Sequence, residues 1–105
     1  MLQIAVRRTE PIALSAISLL EIAVLAGPGK VRLKASLNEF FDDLHGNPIF
    51  VVLPLTYEVA LEAALLSNLR DPADRAIVAT ARIHRLTLVT SDQRIIESKL
   101  VAVVT

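Results

Sequence analysis

The chain has 105 residues, of which 53% are hydrophobic and 21% are charged, and this supplies enough apolar material for one compact domain spanning 1–105. Eleven basic residues are balanced by eleven acidic ones, which argues against a generally basic nucleic-acid-binding protein but allows a local basic rim around an acidic pocket. The absence of cysteine excludes disulfides, thiolate zinc sites and cysteine nucleophiles, and favours a cytoplasmic location. No apolar run is long enough to span a bilayer, so we expect no membrane partner.

Strands and helices alternate along the chain. Apolar, β-branched runs predict strands at 12–15, 49–53, 86–90 and 100–104. Capping residues and apolar periodicity predict helices from 15 or 18 to 26, where GPG at 27–29 ends the helix, and at 36–45, 56–67, 71–84 and 93–98. The run at 49–53 is continuously apolar between two prolines, which predicts a buried strand. The alternation predicts an α/β domain with a mainly parallel sheet, in which ligands bind outside the carboxyl ends of the strands.

Glu21 is the only charged residue of the apolar segment 11–29. The pattern SLLE at 18–21 fits a capping box, in which Glu21 reaches back to a backbone N–H at the helix start. SLNE at 36–39 has the same pattern, but Glu39 lies opposite the apolar stripe of its helix, whereas Glu21 lies within the apolar row. A lone carboxylate is costly to bury unless it is paired or bound to a cation. Glu21 is therefore open to two interpretations, a helix cap or a site residue.

Asp71 and Asp74 stand at the head of DPADRAIVATA, residues 71–81. Asp71 is a natural N-cap before Pro72, and an acid at position 74 is favoured by the positive end of the helix dipole. Both acids can therefore be explained as helix-start residues. However, Asp74 also shares the apolar helix face that should pack on the sheet, and the small alanines of this segment indicate close packing. We expect Asp74 to point into a confined space.

Asp92 follows the LVT run of a predicted parallel strand. It could be the N-cap of the next helix, a role that Ser91 could fill equally well, or a ligand at the binding edge of the sheet. Glu21, Asp74 and Asp92 each lie at a helix head or a strand-to-helix junction and could converge. Such a cluster repels itself unless a divalent cation neutralises it, and an oxygen-only donor set favours Mg²⁺ or Mn²⁺ over zinc. The spacing indicates an acidic metal site without naming the reaction.

Four segments carry a resemblance to a known family. LSAISLLEIAVLAGPGKVRL, VLPLT, DPADRAIVATARIHRLTLVTSDQRI and LVAVV, in this order, resemble PIN-domain ribonucleases, specifically VapC-type toxins of bacterial toxin–antitoxin systems. The most specific parts are DPADRAIVATA and LVTSD. The resemblance implies a PIN-like α/β/α sandwich and a metal-dependent endoribonuclease, in which Mg²⁺ or Mn²⁺ activates water to attack an RNA phosphodiester. The partners it implies, besides RNA, are a cognate VapB-like antitoxin and a second copy of the chain in a homodimer.

The resemblance also assigns roles to residues of this chain. By motif, Glu21, Asp74 and Asp92 match the family's catalytic, metal-binding acids, and Asp71 matches a secondary metal-binding acid. Leu20 stands where the family frequently has Trp. Arg75 and Arg94 would contact the substrate phosphate at the rim, although either could equally be a solvated helix arginine.

The amino-terminal part departs from the family pattern. VapC-type toxins begin with a central strand carrying an aspartate, in a pattern like LLLDT, but this chain has no aspartate before Asp42. We therefore expect that strand and one metal ligand to be missing, leaving an unpaired interior edge in the sheet. Three alternatives follow: a natural start upstream and a complete endoribonuclease, a truncated and catalytically weak or inactive domain, or a module that only binds an antitoxin or dimerises.

Overall fold

The computed structural model describes residues 4–6, 12–26 and 36–104, with side chains described from residue 12 onward. The elements in chain order are β1 (Ile4–Val6), β2 (Ile12–Ser15), α1 (Ala16–Ala26), α2 (Leu37–Gly46), β3 (Phe50–Leu53), α3 (Tyr57–Ala64), α4 (Pro72–Ile83), β4 (Thr87–Val89), α5 (Gln93–Ser98) and β5 (Val103–Val104). The predicted α/β class is confirmed. The predicted helix stop at 27–29 lies outside the described residues. Within the described ranges, no helix has the length and apolar character needed to cross a bilayer.

The five strands form one sheet in the order β3-β2-β1-β4-β5. The pairs β2–β3 and β4–β5 are parallel, whereas β1 is antiparallel to both of its neighbours. Four strands therefore run in one direction, which confirms a mainly parallel sheet. Their carboxyl ends meet at a single edge, where the chain turns from β2 into α1 and from β4 toward α5.

The central position of the sheet is filled, so the expectation of an unpaired interior edge is wrong. Ile4 pairs with Leu14 of β2 and with Val89 of β4. The IAV segment supplies backbone hydrogen bonds to both neighbouring strands, and an antiparallel ladder satisfies those groups as well as a parallel one would. The chain has no aspartate before Asp42, and the absence of one metal ligand stays a prediction.

Helix α4 is the most deeply buried helix of the described chain. It packs against α1, α3, β2 and β4, and seven of its side chains are buried, Asp74 among them. Apolar residues from α4, α3, β4 and α5 form one core cluster, which includes Val59, Ile77, Val78, Leu88 and Ile95. Close packing around the first turn of α4 is what places a carboxylate, Asp74, inside the protein.

Strand β3 is an edge strand, so the prediction that 49–53 is a buried strand is wrong. Val51 and Val52 remain 40% and 38% exposed, because β3 pairs with β2 alone among the described strands and α2, which contacts it, has no buried residue. A short apolar run indicates a strand but does not tell a central position from an edge. β2 has the predicted bounds, β4, β5 and α3 are shorter than predicted, and β1 was not predicted.

Candidate active site at the carboxyl edge of the sheet

Asp74 is the buried acid of this edge. Its side chain projects from the first turn of α4, and the residue is only 7% exposed, which confirms the prediction of a confined space. Burial raises the pKa of Asp74, and the nearby carboxylates of Asp71 and Asp92 raise it further, while the Arg94 guanidinium acts in the opposite direction. An acid in such surroundings is held at a cost that a bound cation would relieve.

Asp71 caps the helix that carries Asp74. It has an extended backbone before Pro72, and its Oδ1 accepts hydrogen bonds from the N–H of Ala73 at 2.8 Å and of Asp74 at 3.4 Å. The capping role predicted from DPAD is confirmed, and by fixing the start of α4 it fixes the position of Asp74. Its metal-binding role stays a prediction.

Asp92 lies three residues beyond Val89, the last residue of β4, and serves as the N-cap of α5. Its Oδ1 accepts from the backbone N–H of Arg94 at 2.9 Å, so Asp92, and not Ser91, is the cap. The hydrogen bond from the Arg94 side chain holds the pKa of Asp92 below its ordinary value. Asp92 is therefore ionised and fixed at the edge of the sheet where ligands bind in parallel α/β folds.

Thr90 positions Asp92 and is a residue that the sequence analysis did not single out. It is buried, and its Oγ1 accepts a hydrogen bond from the Asp92 N–H at 3.0 Å. The signal was present in the spacing, since a Thr two residues before an Asp can close a short turn through its hydroxyl.

Arg94 joins the two acids. Its Nη2 lies 3.3 Å from Oδ2 of Asp74 and 3.0 Å from Oδ2 of Asp92. Two carboxylates from different elements, the head of α4 and the head of α5, therefore meet at one positively charged group. This convergence is the central geometric feature of the site.

Glu21 lies in the middle of α1 and does not cap it. The helix begins at Ala16, and the Oγ of Ser15 accepts from the N–H of Ile17 at 3.2 Å, so Ser18 is inside the helix and cannot be its N-cap. The capping-box interpretation of SLLE is therefore wrong. Burial raises the pKa of Glu21, and the carboxylates of Asp74 and Asp71 raise it further. Glu21 is therefore close enough to the acids at the start of α4 to be affected by their charge.

Arg75 forms a hydrogen bond with the backbone of its own chain. Its Nε donates to the backbone carbonyl of Leu69, which ties the first turn of α4 to the loop before it. Its predicted contact with substrate stays a prediction. Arg94, by contrast, is in direct contact with the site acids.

The donor atoms at this edge of the sheet suit a divalent cation. The residues that converge offer carboxylate oxygens alone, and Mg²⁺ is commonly held by one or two carboxylates together with water and substrate phosphate. Asp74 and Asp92 meet this requirement, since both reach one cationic group. Among the described side chains, no group of three or more His, Cys, Asp or Glu is close enough to hold a metal ion, so Glu21 completes no compact three-acid cluster.

A cavity of about 500 Å³ lies away from these acids. It is found near the amino ends of β4 and β5, where Arg82 and Glu62 form an ion pair of 2.7 Å. None of the site acids lines it. The site acids therefore lie at the opposite edge of the sheet from this cavity.

The fold and the site define a class of protein. It is an α/β domain with a mainly parallel sheet, and acids from two helix starts meet at the Arg94 guanidinium at the carboxyl edge of that sheet. The model of the family described as PIN domain matches residues 2–99, and the chain belongs to the PIN domain family. Members of this family are in general divalent-metal-dependent nucleases. No curated protein matches the chain significantly.

Solved structures give the same result. The chain is similar to the crystal structure of FitAcB from Neisseria gonorrhoeae, with 28% identity and a TM-score of 0.66 over 89% of this chain and 73% of the other. It is also similar to a structure of FitAB bound to the IR36 DNA fragment, with 27% identity and a TM-score of 0.64 over 88% and 71% of the two chains. The resemblance to PIN-domain proteins inferred from the sequence motifs is confirmed.

Proposed function

We propose that this protein is a metal-dependent endoribonuclease of the VapC toxin type, which hydrolyses RNA phosphodiester bonds at the site of Glu21, Asp74 and Asp92. The observation that carries the proposal is that Asp74 and Asp92 meet at a single cationic group. This convergence supports a divalent-cation site at the edge where ligands bind in such sheets. Membership of the PIN domain family supports the reaction class.

The side chains have separate tasks in this proposal. Asp74 and Asp92 would hold Mg²⁺ or Mn²⁺, while Glu21, as the third acid, and Asp71, as a secondary one, would act from outside this close pair. When bound, the cation supplies a nucleophilic water near neutral pH and offsets negative charge in the transition state. Thr90 keeps Asp92 in place through its hydroxyl, and burial of Asp74 limits the competition of water for its oxygens.

Substrate binding is proposed for the two arginines near the site. Arg94 is 68% exposed, so its guanidinium can reach a phosphate outside the protein surface, and Arg75 lies one residue beyond Asp74 on α4. A guanidinium contacts phosphate oxygens through two parallel hydrogen bonds. RNA recognition through such a local basic rim is compatible with a chain whose net charge is zero.

The test is RNA cleavage with and without Mg²⁺ or Mn²⁺. We expect cleavage by the unaltered chain to require the metal, and Asp74→Asn to reduce it by about 100-fold or more, since one group that organises charge in the transition state is lost. Asp43→Asn is the matched control, because Asp43 is an exposed acid of α2. Equal metal-dependent rates for the unaltered chain and Asp74→Asn would exclude this site.

A second candidate function is a binding module without nuclease activity, and an apolar stripe on α3 favours it. Tyr57, Leu61 and Leu65 follow one another at helical spacing and are 77%, 56% and 75% exposed, while Val59 of the same helix is fully buried against the core. Exposed apolar rows of this kind mark partner surfaces. We propose a VapB-like antitoxin and a second copy of the chain as partners, in the cytoplasm.

Solution mass measurements test the stripe. We expect the unaltered chain to have the mass of a dimer in light scattering after size-exclusion chromatography, and Leu61→Glu to shift it toward the monomer. Ile83→Glu, an exposed apolar residue of α4, is the control and should leave the mass unchanged. If nuclease activity is absent and the stripe still mediates association, the binding module is the correct function.

A further inference from the structure

Arg94 occupies the space between the two site acids. Its Nη2 contacts Oδ2 of both Asp74 and Asp92, at 3.3 and 3.0 Å, and its Nε lies 3.3 Å from Oδ1 of Asp92. The oxygens in contact with the guanidinium are therefore the ones that would hold a cation in the proposed function. A divalent ion and a guanidinium at this point would repel each other at short range, so the two cannot share the acids.

The balance of forces on Arg94 allows it to leave. Two ion pairs hold the guanidinium there, since its Nη2 lies 3.3 Å from an oxygen of Asp74 and 3.0 Å from one of Asp92. However, the side chain of Arg94 is 68% exposed, so no packing traps it between the acids. Ion pairs with one exposed partner are weak and are easily exchanged.

We propose that Arg94 is an internal counter-ion of the acid pair, and that entry of the divalent cation is an exchange that releases the Arg94 guanidinium to the rim of the site. This inference rests on the proposed function, since the cation belongs to it. Arg94 is a positioning residue here: in the metal-free protein it holds Asp74 and Asp92 close together. Once released, it lies beside the site with its donors free for a phosphate oxygen.

The exchange makes a prediction about metal affinity that does not depend on catalysis. Mn²⁺ alone is titrated into metal-free protein without RNA, and the free ion is followed by electron paramagnetic resonance. We expect Arg94→Gln to bind Mn²⁺ about threefold to tenfold more tightly than the unaltered chain, because the competing ion pairs are gone. Arg94→Lys keeps the charge but loses the fork of donors, so its affinity should fall between the two.

Arg70→Gln is the matched control for loss of a positive charge near the site. Arg70 is next to Asp71 in the chain, is exposed, and forms no ion pair with the described acids. Its Mn²⁺ affinity should stay within about twofold of the unaltered chain, since an exposed charge without contact is largely screened by salt. Circular dichroism at increasing temperature shows whether each variant is folded, and Arg94→Lys decides the question if Arg94→Gln does not fold.

The outcomes separate the two proposals. If Arg94→Gln and Arg94→Lys bind Mn²⁺ no more tightly than Arg70→Gln, while Asp74→Asn abolishes binding, the exchange is wrong and the metal site stands. If the unaltered chain, Arg94→Gln and Asp74→Asn all fail to bind Mn²⁺, both the exchange and the proposed nuclease site are wrong. Tighter binding by both Arg94 variants, lost again when Asp74→Asn is added, supports the exchange.

Discussion

SLLE at 18–21 and SLNE at 36–39 are the same pattern in one chain, and the fold uses them differently. In α2, Ser36 is an N-cap whose Oγ accepts from the Glu39 N–H and donates to its carboxylate, both at 3.1 Å. In α1, Ser18 is buried within the helix, and Glu21 lies in the acidic field of the α4 head. One pattern is a surface cap, and the other places its glutamate where the carboxylates of Asp74 and Asp71 raise its pKa.

The difference comes from what precedes each pattern. β2 continues without a loop into α1, so the helix begins at Ala16, and the position of Ser18 is already helical. Ser36 has an extended backbone, which is what an N-cap requires. A capping motif therefore predicts a cap only where the chain is free to enter the helix at that residue.

The largest expected effect is on catalysis, and it compares the two glutamates directly. We expect Glu21→Gln to lower metal-dependent RNA cleavage by about 100-fold, because an acid that organises the cation site loses its charge. Glu39→Gln keeps an oxygen acceptor at an exposed cap and should leave cleavage unchanged. Single-turnover cleavage rates measure both, and similar rates for the two variants would remove Glu21 from the site.

The next largest effect concerns the packing around Ser18. Ser18 is 1% exposed, so Ser18→Leu forces extra volume into a close-packed region and should lower the free energy of unfolding by about 1–3 kcal/mol. Val24→Leu adds volume at an exposed position of the same helix and is the control. Urea unfolding measures both, and a neutral Ser18→Leu would show that this part of α1 is loosely packed.

A smaller loss is expected at the true cap. Ser36→Ala removes the acceptor of the Glu39 N–H and should lower the free energy of unfolding by about 1 kcal/mol. Ser36→Asp restores an acceptor and should recover most of the loss. If Ser36→Ala unfolds at the same urea concentration as the unaltered chain, the cap of α2 contributes nothing to stability.

The smallest effect is a pH dependence measured without metal, and it has opposite signs for Glu21 and Asp92. The pKa of Glu21 is raised above its ordinary 4.5 by burial, so the native state holds the proton longer than the unfolded chain. Stability then falls as the pH rises from 4.5 through the raised native pKa. Glu21→Gln should therefore gain stability relative to the unaltered chain over that interval.

Asp92 behaves in the opposite way, because the hydrogen bond from Arg94 lowers its pKa below the ordinary 3.8. Its stabilising contribution is complete above pH 3.8 and is lost as the pH falls through the native pKa. Asn is an equally good N-cap, so Asp92→Asn isolates the effect of the charge. The stability of this variant relative to the unaltered chain should fall as the pH rises through that window. Urea unfolding in EDTA at a series of pH values measures how the stability difference between each variant and the unaltered chain changes with pH. Changes of the same sign for the two variants would show that the carboxylates of Glu21 and Asp92 do not have oppositely shifted pKa values.

Much of this protein was determined by local sequence. Alternating strands and helices predicted the α/β class, and DPAD predicted both the cap at Asp71 and the confined position of Asp74, because caps and apolar periodicity depend on neighbours a few residues away. The DPADRAIVATA and LVTSD motifs predicted the PIN domain family. The metal, the RNA substrate and the catalytic roles of the acids stay predictions.

The tertiary structure decided the rest, because those features depend on contacts between segments far apart in the chain. The antiparallel strand Ile4–Val6 fills the centre of the sheet, which no local pattern in a three-residue apolar segment specifies. The edge position of β3 leaves its valines exposed, although their sequence is that of a buried strand. Only the packing of α4 against β4 brings Arg94 to Asp74, twenty residues away. The acids at the starts of α4 and α5 therefore meet at one guanidinium group.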